Sequence, residues 1–296
     1  MDVSIIIVNY NTQQLTKNCV DSVFEKTKDF EFEVILVDNA STDGSRELFE
    51  KDSRIKYIYS EENLGFGKGN NLGNQYAKGK YVLLLNSDTL LINNAVYELV
   101  NFMEVHPEVS ITGGALYNSE MKKCTSYDLL LPSLKQEFDT LFRGFFSKNL
   151  IKRMNGEIKT QGFAYVGYIT GADMMLRREK IEEIGMFDPD FFMYYEETEM
   201  TSRYAAKGYK SAFFPMAKIQ HLEGKSFAFK ETREKMFFSS RRLYFKKTGH
   251  GCMYYCLCTG VFILYLLTSA LNDLIVKKDK QSAKNSMQRL KVLIHS

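Results

Sequence analysis

The chain has 296 residues, 45% of them hydrophobic and 25% charged, a globular balance with room for one large domain or a domain and an appendage. A net charge of +3 is too small to argue by itself for nucleic acid, and none is expected as a partner. The five cysteines, Cys19, Cys124, Cys252, Cys256 and Cys258, show no metal-ligand spacing and point to a reducing, cytoplasmic compartment.

VSIIIVN (3–9) is β-branched and apolar and reads as a buried strand; with no basic region before it, it is too short for a signal peptide. Leu15, Cys19, Val20, Val23 and Phe24 then recur at helical spacing. FEVILVD (32–38) reads as a second strand, STDGSRELFEK as a helix capped by Ser41 or Thr42, and IKYIYS (55–60) as a third strand. A glycine-rich segment, NLGFGKGNNLGNQYAKG, leads through a helix to the strand in KYVLLLNSDTLL (80–91). NAVYELVNFMEVHP reads as a helix and VSITGGALY (109–117) as a further strand. This alternation predicts an α/β fold with a mostly parallel central sheet and helices on both faces.

Residues 118–165 lose that rhythm and read as an insertion or lid. Regular structure returns afterwards, with Gly208 placed to end a helix. Residues 225–250 are basic, carrying Lys225, Lys230, Arg233, Lys235, Arg241, Arg242, Lys246 and Lys247 against Glu231 and Glu234, which suits a phosphate-rich ligand or an anionic membrane. Residues 252–271 hold no charge and are long enough to span a bilayer. Lysines lie on both sides, however, which opposes a simple span. The expectation is an apolar helix lying in the inner leaflet, with a spanning helix and a core or dimer helix as alternatives.

In an open parallel sheet, ligands bind beyond the carboxyl ends of the strands. Asn9, Tyr10 and Asn11 follow the first strand here, Asp38 and Asn39 the second, Asn63 and three glycines the third, and Asn86, Ser87 and Asp88 the fourth. GFGKGNN matches a dinucleotide fingerprint only loosely and follows the wrong strand, and no Walker A motif occurs. Asp88 suits a divalent cation shared with a diphosphate, or alternatively a cap for the helix that follows. FFMYYEETEMTSR places Glu196, Glu197 and Glu199 behind aromatics. On a helix Glu199 reaches Arg203, while Glu196 and Glu197 point about 100° apart. A carboxylate among aromatics has a raised pKa and suits a general base, although acids in a first helical turn also simply favour the dipole. A lone histidine such as His221 is more often structural, but Lys225 and Ser226 nearby suit phosphate.

The motifs VSIIIVNYN, VILVDNASTDGS, NLGFGKGNN, LLLNSDT, GADMMLRR, GMFDPDFFMYYEETEM and HLEGKS, in this order over residues 3–226, resemble glycosyltransferase family 2, in the rhamnosyltransferase-like branch that builds bacterial surface polysaccharides. The resemblance implies a GT-A fold and inverting transfer of a sugar, first dTDP-rhamnose, from a nucleotide diphosphate donor to a glycan or lipid-linked acceptor. It implies Glu197 as catalytic base, and Asp88 and His221, the latter near the diphosphate, as the residues of a Mg2+ or Mn2+ site. Tyr10, Asn11, Asp38, Asn39, Asn63, Gly67, Asn71, Asn86 and Ser87 would frame the nucleotide sugar. Asp173, Glu196, Glu199 and Lys225 would stand on the acceptor or phosphate side.

The expected catalytic domain is 1–230, with its nucleotide half at 1–117 and its acceptor half at 118–230. Residues 231–296 form a membrane-associating region, peripheral on the inner face of the cytoplasmic membrane, and a homodimer is left open. Asn86-Ser87-Asp88 carries one carboxylate where the family motif often has two, and Glu197 stands where many members have Asp. The first departure leaves room for a catalytically weak nucleotide-binding scaffold. A nucleotidyltransferase uses similar carboxylate and metal logic, but lacks a basic triphosphate loop here.

Overall fold

The computed structural model describes residues 1–222 and 230–295; Lys225 and Ser226 lie outside them. The first half alternates as expected: β1 (Val3–Asn9), α1 (Gln13–Lys26), β2 (Phe32–Asn39), α2 (Ser45–Phe49), β3 (Lys56–Ser60), α3 (Gly65–Asn74), β4 (Tyr81–Asn86), β5 (Thr89–Leu91), α4 (Ala95–Val105) and β6 (Val109–Tyr117). Then come β7 (Tyr127–Asp128), α5 (Leu134–Leu141), α6 (Ser147–Gln161), β8 (Ala164–Val166), β9 (Tyr168–Ile169), β10 (Asp173–Arg177), α7 (Arg178–Ile184), α8 (Glu196–Ala206) and β11 (Lys210–His221). Three helices close the chain: α9 (Lys230–Lys247), α10 (Cys252–Ile275) and α11 (Lys280–Ile294).

The sheet runs β3-β2-β1-β4-β10-β6-β11-β5, with β8 paired to β11. β1 to β4 are mutually parallel where they pair, and β10 runs antiparallel between β4 and β6. Alternation along the central strands sends Ile5, Ile7, Leu83 and Leu85 to one apolar layer, and Ile6, Val82 and Leu84 to the other. Both faces are covered, which is why these strands read as unbroken apolar runs. β11 shifts register between Phe213 and Lys218, around Pro215, which has no N–H to give to a ladder.

Three local readings change. Neither Ser41 nor Thr42 caps α2: its N-cap is Gly44, and Ser41 instead accepts from Asn9 Nδ2 and Asn11 N. The glycine-rich stretch is itself helical, and its glycines serve close packing. A Cβ on Gly73 would lie 2.6 Å from Ile6 Cγ2, and Gly65 (φ +78) passes so near Phe192 that a Cβ would meet its carbonyl oxygen at 2.1 Å. Residues 118–165 are ordered in part as α5 and α6, and α5 packs beneath α10.

The last three helices build a small core of Phe238, Phe262, Leu266, Leu290 and Leu293. It is tied to α5 by a buried ion pair, Arg241 to Glu137 at 2.7 Å. Arg241, read as part of a basic surface, is therefore interior, and Lys247 is engaged by Asp188 and Asp190.

Candidate active site

The rim beyond β1 and β2 is a lattice of side-chain amides and hydroxyls. Asn9 is buried and its Oδ1 accepts from Thr12 and Thr16, each at 2.8 Å. Thr12 Oγ1 also lies 3.1 Å from Ser87 Oγ, tying the first loop to the fourth. Asp38 is wholly buried, and its oxygens accept from Ser41 N (2.9 Å) and Tyr57 Oη (2.8 Å). Asn39 accepts from Leu64 N and donates to Asn63 Oδ1 and Gly65 O. Asn71 exchanges two hydrogen bonds with the backbone of Phe187. A Cβ on Gly67 would sit 3.3 Å from Phe187 Cβ, so this glycine faces protein.

Asp38, Asn39 and Gly67 are buried and Asn71 is half-buried, and the contacts they make fix the loops of this rim. Tyr10 and Asn11 are exposed at that edge, with Asn11 held at φ 53 and its Oδ1 accepting from Thr42 N.

Asp88 lies in the turn between β4 and β5. It does not cap α4, whose N-cap is Asn94. Strand β5 pairs antiparallel with the end of β11, setting Thr89 opposite His221. Leu222 N donates to Asp88 O at 2.9 Å, and the two side chains meet with Oδ1 3.2 Å from Nε2. Among the described residues no group of three or more His, Cys, Asp or Glu gathers around a point. An aspartate oxygen and an imidazole nitrogen fit a Mg2+ or Mn2+ that takes its other ligands from phosphate and water.

The second acidic site is set by strain. Tyr194 and Tyr195 both adopt left-handed backbone, at φ 70 and 67, uncommon for one non-glycine residue and more so for two in a row. This turn starts α8, with all three glutamates in its first turn. Glu199 binds Arg203 at 2.8 Å, as its spacing predicts, and Arg203 also donates to the carbonyls of Ile184 and Met186. Glu199 is therefore a structural ion pair and does not face an acceptor. Glu196 is buried toward Gly67, on the α3 side, with Oε2 unpartnered. Burial, then the charge of Glu197, pushes its carboxyl well above the usual range.

Glu197 instead lines a cavity of about 220 Å³ with Tyr168, Tyr194, Thr198, Phe237 and Arg241. Its Oε2 is also buried without a hydrogen-bond partner. Burial raises its carboxyl above 4.5, opposed by its own amide and that of Gly171. The next residue, Ala172, accepts from Asn86 N at 3.0 Å, so one backbone step links this site to the end of β4.

Asp173 follows on β10. It is wholly buried, with Oδ2 accepting from Gly114 N at 2.6 Å and Oδ1 unpartnered. The expected acceptor-side role does not suit a carboxyl shut inside the sheet. The sequence reading missed Tyr168, Glu137 and Arg241 as cavity residues. Their one signal was aromatic and charged residues in segments outside the alternating pattern.

The model of the family described as Glycosyl transferase family 2 matches residues 4–185. The hexosyltransferase Agl10 of low-salt glycan biosynthesis in Haloferax volcanii is 31% identical over 206 residues, covering 68% of this chain and 61% of that protein. Glycosyltransferase GlyG of Streptococcus pneumoniae is 28% identical over 120 residues, 39% of either chain. The chain thus spans less than two thirds of these relatives. The mannosyltransferase PcManGT of Pyrobaculum calidifontis, solved with GDP-Man and Mn2+, superposes with a TM-score of 0.63 at 16% identity over 99% of this chain and 86% of that one. A GalNAc-T7 structure with UDP, GalNAc and Mn2+ gives 0.64 at 15% identity, over 97% of this chain and 54% of that one. These two likenesses establish a GT-A-type fold. With its first strand-and-helix half inside the matched span, the chain belongs to glycosyltransferase family 2.

Proposed function

We propose that the chain transfers a sugar from a nucleoside diphosphate to an acceptor hydroxyl with inversion, in the synthesis of a surface glycan. Glu197 carries the reading: the residue lines a cavity, its buried Oε2 has no hydrogen-bond partner, and Gly171, whose amide lowers its pKa, is one backbone step from the Ala172–Asn86 hydrogen bond at the end of β4. Glu197 takes the acceptor hydroxyl proton as that oxygen bonds to the anomeric carbon. The bond from this carbon to the phosphate oxygen breaks, and its electron pair leaves with the nucleoside diphosphate. Asp88 and His221 would hold Mg2+ or Mn2+, which supplies positive charge beside the departing phosphate. Tyr10, Asn11, Asn63 and Ser87 meet the nucleotide on loops that Asp38, Asn39 and Asn71 hold in place.

GDP-Man in PcManGT and UDP in GalNAc-T7, each with Mn2+, support a nucleotide-sugar donor and a divalent ion. The rhamnosyltransferase-like motifs make dTDP-rhamnose the first donor to try. The unit 1–230 would carry the reaction, with residues 231–296 added to its acceptor side. A panel of nucleotide sugars, each with Mn2+, is screened for protection against thermal unfolding, then for release of nucleoside diphosphate. One donor is expected to raise the Tm and to turn over; no protection by any of them overturns the reading.

A further inference from the structure

We propose that the protein docks on an anionic lipid leaflet through a surface made by the outer face of α10 and the phenylalanine corner between α5 and α6. Met253, Leu257, Leu264, Leu267, Leu271 and Leu274 recur at three-, four- and seven-residue intervals, which places them on one face of the helix. All six are exposed, Met253 by 79% and Leu264 by 53%. Among the described residues α10 is the one helix long and apolar enough to cross a membrane. Its opposite face does not allow that. Cys258, Phe262, Leu266 and Ala270 are buried, and the helix packs along α5, α9 and α11. Crossing a bilayer would strip those partners away, whereas lying flat in the interface leaves them in place.

The corner adds a second apolar element. Phe138, Phe142, Phe145 and Phe146 are exposed, Phe145 by 64%, and their rings pair with one another. Leu141 and Arg143, within the same turn, share a hollow with Tyr265, Thr268 and Asn272 of α10, so the corner flanks the leucine stripe. Together the two form a large uncovered apolar surface of the kind that marks a docking site.

Charge selects the occupant. Residues 230–296 hold thirteen Lys and Arg against four Asp and Glu, and residues 134–161 hold six against three. These helical segments therefore carry +12 of a chain whose total is +3, and the rest of the chain carries −9. A second copy would bring the same excess of positive charge to the same face. A leaflet rich in anionic headgroups meets it with the opposite sign, with Lys277, Lys278 and Lys280 at the end of the stripe and Arg143 and Lys148 at the corner. This surface and its charge would bind a leaflet whether or not the chain transfers a sugar.

The test floats the full chain with vesicles of equal parts phosphatidylglycerol and phosphatidylethanolamine, and with vesicles of phosphatidylcholine alone. The wild type is expected to float with the anionic vesicles and to be released in large part by high salt. Leu264→Glu with Leu271→Glu, and separately Phe142→Ser with Phe145→Ser, should each cut partitioning about tenfold or more with the Tm unchanged. Exposed positions make both pairs tolerable to the fold, and either pair alone suffices. A wild type that stays in solution, or binds neutral vesicles equally, overturns the proposal. So does a dimer in sedimentation equilibrium that Leu264→Glu dissociates, which would give the stripe to a second copy. Nucleotide-sugar protection should be the same in all variants; its absence throughout would sink the transferase reading and leave this one standing.

Discussion

Asp88 Oδ1 and His221 Nε2 lie 3.2 Å apart, joined by the pairing of β5 with the end of β11. No local pattern connects them, yet together they offer an oxygen and a nitrogen donor at the end of β4. Asp88→Asn and His221→Ala should each lower transfer about a hundredfold or more. Calorimetry of nucleoside diphosphate binding with and without EDTA checks this. EDTA should weaken binding to the wild type and change little in Asp88→Asn.

Glu197→Gln should lower kcat by about 10²–10⁴ while donor affinity stays within about twofold. The base must be ionised, and burial raises its carboxyl above the 4.5 of an ordinary glutamate. The acid limb of the kcat profile should therefore lie above that value. Glu196→Gln tests whether the limb belongs to Glu197, because burial and the charge of Glu197 raise the Glu196 carboxyl as well; a limb that stays in place assigns it to Glu197. Retention of full kcat in Glu197→Gln would remove it from the reaction.

Asp173 gives a stability prediction with a definite sign. Burial pushes its carboxyl well above the usual 3.8, so the folded chain keeps a proton that the unfolded chain releases. Its contribution is complete below 3.8 and is lost as pH rises toward the folded value, by at most about 1.4 kcal/mol per pH unit. Asp173→Asn lacks this titration and can still accept from Gly114 N. Urea unfolding across this pH range should show the wild type weakening relative to the variant; parallel curves would contradict the protonated state.

The Arg241–Glu137 pair should behave as a buried ion pair. Arg241→Met alone strands a carboxylate and should cost about 3–5 kcal/mol, whereas Arg241→Met with Glu137→Leu should recover most of that. Denaturant unfolding of the two single variants and the double variant measures the coupling.

Most of the α/β alternation was legible because each strand is short, apolar and closed by polar residues. The structure sets the polar ends of β1, β2 and β4 side by side, as the strand readings predict. Their burial was not legible: Asp38 and Asn39 read as rim residues in sequence, whereas in the structure they lie inside and hydrogen-bond with Tyr57, Ser41, Leu64 and Asn63. Burial of a carboxylate is a tertiary property, and so was the fate of Asp173. The cavity beside Glu197 was hidden for a related reason. Its walls come from α5, α8 and α9, whose packing depends on the Arg241–Glu137 pair, and Arg241 read as one of many surface cations.

The chain passes from α8 to β11 through a single tight turn at Gly208, whose φ of +86 few other residues would accept. Helix and strand therefore behave as one bracket, with Glu197 on its first arm and His221 at the tip of its second. In the proposed reaction, the spacing between the proton acceptor and the leaving-group side would thereby be set by secondary structure. If the cavity beside Glu197 receives the acceptor, the helices around it could diverge, and so change the alcohol it admits, without retuning the two ends of the bracket.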